Sequence, residues 1–141
     1  MREIIKSVAF NDIQLGDYAC LARVIDEETV SVFAELSGDK NPVHLDEDFA
    51  AASRFKRRIA HGLISASYFS ALFGTKLPGV GCVYVSQNLN FKRPVYLGDE
   101  VLATVTVEKI DTIARKVFFK TVCKVNNKTV IDGEAVLYVP Y

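Results

Sequence analysis

The chain has 141 residues, of which 50% are hydrophobic and 24% charged, and its 17 basic side chains balance its 17 acidic ones. This length and composition predict one globular domain over residues 1–141. The balanced charge argues against nucleic acid or an anionic membrane as partner, and no apolar run is long enough to span a membrane. Because the chain lacks a signal-peptide pattern and its three cysteines show no close pairing, we predict a reduced, cytoplasmic protein.

The N-terminal part of the chain begins with a predicted strand and helix. Residues 20–25 alternate weakly in hydropathy, which favours a strand. Asp26 can cap the helix that follows, which is predicted to run to Leu36, and Gly38 stands where a helix-ending glycine is expected. This helix therefore leads into a loop, which is expected at 39–45.

Two further helices are predicted before the chain turns to strands. Asp46 can cap a short helix that continues to Ala52. A longer helix is predicted from about Leu63 to Leu77, and it carries no carboxylate and no charge before Lys76. A helix that is apolar nearly all round is expected to be buried.

The second half of the chain is predicted to be an antiparallel sheet. Strands are expected over 82–91, 100–110, 116–126 and 129–138. Asn126-Asn127 suits a tight hairpin turn, since Asn tolerates positive φ. One long buried helix followed by four such strands predicts an α+β fold in which the sheet wraps around the helix. So few strands leave the sheet open, and covering its edges with a second copy predicts a homodimer.

Residues 37–44 contain the strongest candidates for catalysis. His44, one of only two histidines, lies five positions after Asp39 in the run SGDKNPVH. Gly38 and Pro42 predict a sharply turning, stiff loop, which could hold a carboxylate and an imidazole around one water molecule. A lone Asp and His in a loop are more often a turn cap and a packed polar residue. The density of special residues in this run favours the catalytic pair.

Gly62 follows the second histidine, His61, at the predicted start of the long helix. A backbone N–H at a helix start is unpaired and could stabilise an oxyanion, and glycine lets a substrate carbonyl approach closely. Alternatively, Gly62 allows tight packing and His61 is a surface or capping residue. Both interpretations stay open at this point.

A short basic cluster could bind phosphate groups. It comprises Arg54, Lys56, Arg57 and Arg58, and Lys92 and Arg93 could add to it. The alternative is an ordinary solvated face. Together with a mostly apolar tunnel beside the long helix, the cluster makes an acyl-CoA a reasonable ligand. The chain contains no CxxC, HxH or HExxH motif, so no metal site is expected, and it contains no Walker A or dinucleotide fingerprint.

Three runs of residues together resemble one known family. They are SGDKNPVH at 37–44, HGLISAS at 61–67 and FKRPVYLGDEV at 91–101, and the likeness spans most of the chain. The family is that of the MaoC-like, (R)-specific enoyl-CoA hydratases. The resemblance implies a single hot-dog fold with the 63–77 helix at its centre. It also implies a homodimer or higher homo-oligomer with active sites at the subunit interface.

The same resemblance implies roles for individual residues. Asp39 and His44 would activate a water that adds to C3 of a trans-2-enoyl-CoA, while C2 gains a proton, giving the (R)-3-hydroxyacyl-CoA. The backbone N–H of Gly62 would bind the thioester oxygen. Ser70 matches a serine close to the catalytic aspartate, and Asn41 would orient the loop. No metal or organic cofactor is implied beyond the CoA of the substrate.

Two other functions stay open from the sequence. A hot-dog acyl-CoA thioesterase commonly has an acidic residue on or near the central helix, and residues 62–77 contain none. A non-catalytic acyl-CoA-binding module would be expected to lack Asp39 or His44, and both are present. The acyl group could also be branched or dicarboxylic, because the site chemistry would be the same.

The length of the acyl chain is indicated only weakly. Tyr68, Phe69 and Phe73 lie on the long helix, and bulky rings that face the acyl tunnel would shorten it. We therefore predict a short-chain substrate, with Phe73 among its contacts. The product could enter polyester synthesis (polyhydroxyalkanoate), fatty-acid breakdown or another acyl-CoA route.

Overall fold

The protein is described here by a computed structural model that covers all 141 residues. Its strands are β1 Tyr18–Val24, β2 Val83–Gln87, β3 Asn90–Phe91, β4 Glu100–Asp111, β5 Lys116–Val125 and β6 Lys128–Tyr138. Its helices are α1 Glu27–Ser37, α2 Pro42–Leu45, α3 Glu47–Ala52 and α4 Gly62–Thr75. The strands form one antiparallel sheet in the order β1-β4-β5-β6-β2, and β3 also pairs with β6. The predicted α+β class is confirmed.

Local sequence signals place the ends of α1 where they were predicted. The Asp26 carboxylate accepts a hydrogen bond from the Thr29 N–H at 2.9 Å, which pairs one of the free N–H groups of the first turn. Gly38 ends the helix in the left-handed region at φ 81°, where a side chain would be strained. The chain therefore turns sharply away from α1 at the beginning of the candidate catalytic loop.

The predicted loop at 39–45 is partly wrong, because its second half is the helical turn α2. Asn41 caps this turn by accepting a hydrogen bond from the Val43 N–H at 3.2 Å. Pro42 occupies the first turn, where its fixed φ suits a helix and its missing N–H costs nothing. The residues that stiffen the loop are thus also those that start a helix.

Helix α4 packs against β1, β4, β5 and β6, and its inward side belongs to the hydrophobic core. Ile64, Phe69, Leu72 and Phe73 are buried on that side. The opposite face of the helix is open in the single chain, since Leu63 is 55% exposed and Ser70 is also exposed. The prediction of a helix buried all round is therefore wrong for one chain, and the helix ends at Thr75 instead of Leu77.

The alternating pattern of β4 matches its burial in the sheet. Val101, Ala103, Val105 and Val107 are all buried, and the residues between them face outward or lie half-buried. The β5–β6 hairpin turns at Asn126 and Asn127, whose φ values are 48° and 64°. Both predictions are confirmed, because each depends on backbone geometry that a few neighbouring residues determine.

The strand predicted at 82–91 is interrupted between β2 and β3. There the Asn88 backbone crosses directly over Gly133 on β6, so that a Cβ at Gly133 would come within 2.0 Å of the Asn88 carbonyl oxygen. The Asn88 side chain accepts a hydrogen bond from the Glu134 N–H at 3.2 Å. The Asn88 N–H still donates to the Glu134 carbonyl at 2.9 Å, so a side-chain oxygen replaces one of the two backbone bonds at this crossing and the regular ladder is interrupted there.

Two further observations bear on the sequence predictions. None of the four α-helices combines the length and the apolar character that crossing a membrane would require. The cysteines Cys20, Cys82 and Cys123 are all free thiols.

Candidate active site

The candidate active site lies where the loop after α1 meets the N-terminus of α4. Three side-chain atoms lie within 4.8 Å of one another there: a carboxylate oxygen of Asp39 and one ring nitrogen each of His44 and His61. His44 and His61 are buried, whereas Asp39 is exposed in the single chain. The structure thus brings Asp39 and His44 together as the sequence predicted, and it adds His61.

The loop that carries Asp39 is held by successive hydrogen bonds between its side chains and its own backbone. The Ser37 hydroxyl accepts from the Asp39 N–H at 3.0 Å, and the Asp39 carboxylate accepts from the Asn41 N–H at 3.2 Å. Asn41 in turn caps α2 and accepts from Val43. Such local bonds orient the backbone without help from distant residues. The role expected for Asn41, to orient the loop, fits this geometry.

Backbone contacts determine the tautomer and the orientation of His44. Its Nδ1 lies 2.7 Å from the Ile59 carbonyl oxygen, and because a carbonyl only accepts, Nδ1 must bear the proton. In the neutral ring, Nε2 is then an unprotonated acceptor. The Arg58 Nε donates to the His44 carbonyl at 2.7 Å, which holds the backbone as well.

The environment of His44 lowers its pKa below the ordinary 6.5, chiefly because burial penalises the charged ring. The neighbouring His61 and the positive charge of Arg58 lower the pKa further, against the opposing effects of the Ile59 carbonyl and the Asp39 carboxylate. A neutral imidazole with a free Nε2 is able to accept a proton from water.

Gly62 opens α4 beside His44, and its N–H donates to no backbone carbonyl. A Cβ at this position would lie 2.5 Å from the ring of Phe91, so any side chain here would collide with that ring. The free N–H at a helix N-terminus can stabilise a negatively charged oxygen. Close packing and an available N–H, the two interpretations of Gly62 that the sequence left open, therefore hold together.

His44 and Gly62 line the same cavity, which has a volume of about 280 Å³. Phe55, Phe91 and Val95 contribute apolar walls. Three of the predicted basic residues, Arg54, Lys92 and Arg93, also line it. The cavity thus combines a polar catalytic end, an apolar wall and cationic groups, which is the composition an acyl thioester with phosphates would need.

Two other arginines of the basic cluster are placed differently. Arg57 does not line this cavity and stacks on the Tyr96 ring at 3.9 Å. Arg58 is buried, and its guanidinium binds both carboxylate oxygens of Glu27, at 2.6 and 3.1 Å, and lies 3.6 Å from Glu47. The prediction of Arg58 as a phosphate ligand is therefore wrong, because its charge is already paired and its donors are occupied.

Ser70 and Phe73 lie away from the His44 cavity. Ser70 lines a separate groove between α4 and β2, together with Leu63, Tyr84 and Leu89. Phe73 is 1% exposed and packs edge-on against Tyr84 and Phe119, so it is a core residue that lines neither cavity. The prediction that Phe73 contacts substrate is wrong for the single chain, because Phe73 lies on the inward face of the helix.

His61 is the site residue that the sequence left undecided. It is 3% exposed, its side chain makes no capping bond to α4, and its ring lies 3.8 Å from that of His44. A surface or capping role is therefore wrong. The signal available in the sequence was that the chain has only two histidines and that both fall in the candidate motifs.

Asp39, His44 and His61 are also the group to consider for a metal ion. Tetrahedral Zn²⁺ with bonds of about 2.0–2.1 Å requires ligand atoms about 3.3 Å apart, whereas these atoms spread over as much as 4.8 Å. The set therefore fits a water molecule better than a zinc ion, and a site without metal stays our prediction.

Comparisons with known proteins agree with this geometry. Residues 14–133 match the family described as the MaoC like domain. The chain is 50% identical to the (R)-specific enoyl-CoA hydratase of Rhodospirillum rubrum, over 93% of this chain and 91% of that one. It is 45% identical to the 3-hydroxybutyryl-CoA dehydratase of Methylorubrum extorquens, over 93% and 83% respectively.

The fold of this chain is also similar to that of a solved structure. The (R)-hydratase from Aeromonas caviae, involved in PHA biosynthesis, superimposes with a TM-score of 0.89 at 40% identity, covering 92% of this chain and 98% of that one. This likeness confirms the hot-dog fold predicted from the sequence.

Proposed function

This chain belongs to the MaoC-like domain family, and we propose that it is an (R)-specific enoyl-CoA hydratase, which adds water reversibly to trans-2-enoyl-CoA to give (R)-3-hydroxyacyl-CoA. One observation carries the proposal. Asp39 lies beside His44, whose Nδ1 is bonded to Ile59 and whose Nε2 is therefore unprotonated in the neutral ring, and His44 lines one cavity with Gly62, whose N–H has no backbone acceptor. The names and identities of the relatives support the same reaction.

The proposed reaction follows from these positions. A water molecule held by Asp39 and His44 gives up a proton to this pair as its oxygen attacks C3 of the enoyl group. The electrons of the double bond move toward the thioester oxygen, where the Gly62 N–H stabilises the developing enolate, an effect of about 10²–10³ in rate for one such donor. C2 then takes a proton, so that H and OH have been added across the double bond. No metal or organic cofactor is required.

The decisive experiment is hydration of crotonyl-CoA by the purified protein, followed as loss of the enoyl-thioester absorbance. The stereochemistry of the product is checked by chiral analysis, and the (R) product is expected. Release of free CoA without hydration would favour the thioesterase. If neither event occurs with crotonyl-CoA or a longer enoyl-CoA, the acyl-CoA-binding module is favoured.

The same assay addresses the length of the acyl chain. We propose a short-chain substrate, because the cavity that His44 and Gly62 line has a volume of only about 280 Å³. A relative that is 45% identical is named a 3-hydroxybutyryl-CoA dehydratase, which supports a four-carbon acyl group. The ratio kcat/KM is expected to fall from four-carbon to eight-carbon enoyl-CoA, and a rise would contradict the proposal.

In the pH profile of kcat/KM, the acidic limb is expected below pH 6.5. His44 must be neutral to accept a proton, and burial lowers its pKa, so it stays neutral to a lower pH than an ordinary histidine. Activity is thus retained as the pH falls to 6.5 and is lost below it. Hydration rates measured at subsaturating crotonyl-CoA test this, with an acid limb at or above 6.5 as the contrary result.

Replacing Arg54 and Lys92 together by Ala is expected to raise KM by about three- to tenfold with little change in kcat. Both side chains line the cavity and are exposed, so they are free to meet the phosphates of CoA. The matched control is Arg57→Ala, since Arg57 is exposed but lies outside the cavity. An unchanged KM in the double variant would mean that these two residues form only a solvated face.

We further propose that the protein is a homodimer in the reducing cytoplasm. Strand β2 ends the sheet without a neighbour on its outer side, and its apolar side chains Val83, Tyr84 and Val85 are exposed. Leu63 on the open face of α4 is exposed too. Unpaired strand edges and apolar patches are where a second copy would bind. Light scattering after size-exclusion chromatography should give a mass twice that of the 15.6 kDa chain.

The proposal of a reducing compartment is supported by the three cysteines, which are all free thiols.

A further inference from the structure

The ring of His61 is enclosed between two other rings. The Phe33 centroid lies 4.8 Å away and the His44 centroid 3.8 Å away. With only 3% of His61 exposed, no substrate can reach its ring in this arrangement. Any effect of His61 on catalysis must therefore be exerted through its neighbours.

One hydrogen bond connects the ring of His61 to the catalytic loop. Its Nε2 lies 2.9 Å from the backbone carbonyl oxygen of Asp39, and because that carbonyl only accepts, Nε2 bears the proton. The other nitrogen, Nδ1, is buried and has no partner. The only bond that the side chain makes is thus the one that holds the backbone of Asp39.

The backbone of His61 also precedes Gly62 directly, as the residue before α4. The single residue is therefore hydrogen-bonded to the loop of Asp39, in contact with the ring of His44 at an interplanar angle of 31° and covalently joined to Gly62. These three contacts join elements that are far apart in sequence, since Asp39 and His61 are 22 positions apart.

We infer that His61 is a positioning residue of this active site, which holds Asp39 and His44 in place relative to the N–H of Gly62. The inference rests on the proposed hydratase function. Proton transfer to a water held by two groups depends on their spacing, and misplacement by about 1 Å is able to cost about 10²-fold in rate. A side chain that fixes both members of the pair is thus expected to affect kcat more than KM.

His61 also takes part in the electrostatics of His44. The charged groups near that ring are the Asp39 carboxylate and Arg58, which is paired with Glu27 and Glu47. Arg54, Lys92 and Arg93 line the cavity that His44 faces. Among these groups, His61 lies in direct contact with the ring and opposes its protonation, so it helps to lower the pKa of His44. Replacing His61 by Gln or Asn, which cannot bind an additional proton, should raise the pKa of His44.

Two amide variants test the inference, because their side chains place the N–H donor at different distances from the backbone. The amide nitrogen of Gln corresponds to Nε2 of His and can still donate to the Asp39 carbonyl, whereas that of Asn corresponds to Nδ1 and falls short. We expect kcat for crotonyl-CoA to be at least about tenfold higher in His61→Gln than in His61→Asn, with KM changed less than about threefold in both. In both variants the acidic limb of kcat/KM should move to higher pH.

The inference is overturned if Gln and Asn give the same kcat, or if the acidic limb stays where it is in the natural protein. A merely structural role would lower the melting temperature and leave that limb unmoved. If His61→Asn does not fold, the acidic limb of kcat/KM in His61→Gln distinguishes a positioning role from a merely structural one. Failure of the natural protein to hydrate any enoyl-CoA would instead overturn the proposed function, so the two failures are distinguishable.

Discussion

Replacing Asp39 by Asn is expected to lower kcat for hydration by at least about 10²-fold while the fold and the assembly stay intact. The Asp39 side chain is exposed in the single chain, and the one hydrogen bond it accepts, from the Asn41 N–H, can be kept by the amide oxygen of Asn. The substitution therefore removes the charge and the proton acceptor and little else. Initial rates with crotonyl-CoA, and thermal melting, measure the two effects separately.

Asp46→Asn is the matched control for this variant. Asp46 is a neighbouring exposed aspartate that caps α3, and its carboxylate accepts from the Phe49 N–H at 3.0 Å. Asn caps helices about as well as Asp, so this variant should retain both activity and stability. Near-normal turnover in Asp39→Asn would exclude Asp39 from the mechanism, regardless of the activity of Asp46→Asn.

Local signals in the sequence predicted much of the fold that holds this aspartate. The cap at Asp26, the left-handed end of α1 at Gly38 and the hairpin at Asn126-Asn127 each depend on residues only a few positions apart. The resemblance to a known family added the hot-dog arrangement. The same short-range reasoning brought Asp39 and His44 together, since a run of only eight residues, 37–44, contains both.

Long-range pairing explains what the sequence did not reveal. Arg58 has the composition of a phosphate ligand, but Glu27, 31 positions earlier, occupies its guanidinium. No periodic pattern in the sequence indicates an ion pair between residues so far apart. Likewise, the face of α4 that carries Phe73 could not be assigned, because the helix is apolar nearly all round and its hydropathy does not distinguish the inward side. The structure assigns Phe73 to the core and leaves Ser70 exposed.

His44→Asn is expected to reduce kcat by at least about 10²-fold with little loss of stability. The amide nitrogen of Asn corresponds to Nδ1 of His, so it can still donate to the Ile59 carbonyl that His44 contacts at 2.7 Å. What the variant lacks is Nε2, the atom proposed to accept the proton from water. Rates with crotonyl-CoA, together with a melting temperature close to that of the natural protein, would assign the loss to chemistry instead of folding.

His44→Gln complements this variant, because its amide lies near the position of Nε2 and the bond to Ile59 is lost. A fully buried carbonyl without a donor costs about 1–3 kcal/mol. Ile59 is half-buried and lines the cavity, so a smaller cost and a modestly lower melting temperature are expected. Its kcat should also fall by at least about 10²-fold, since an amide cannot accept a proton at neutral pH. Near-normal turnover in both variants would exclude His44 from catalysis. Turnover in Gln but not in Asn would mean that Nε2 orients the water while Asp39 alone accepts its proton.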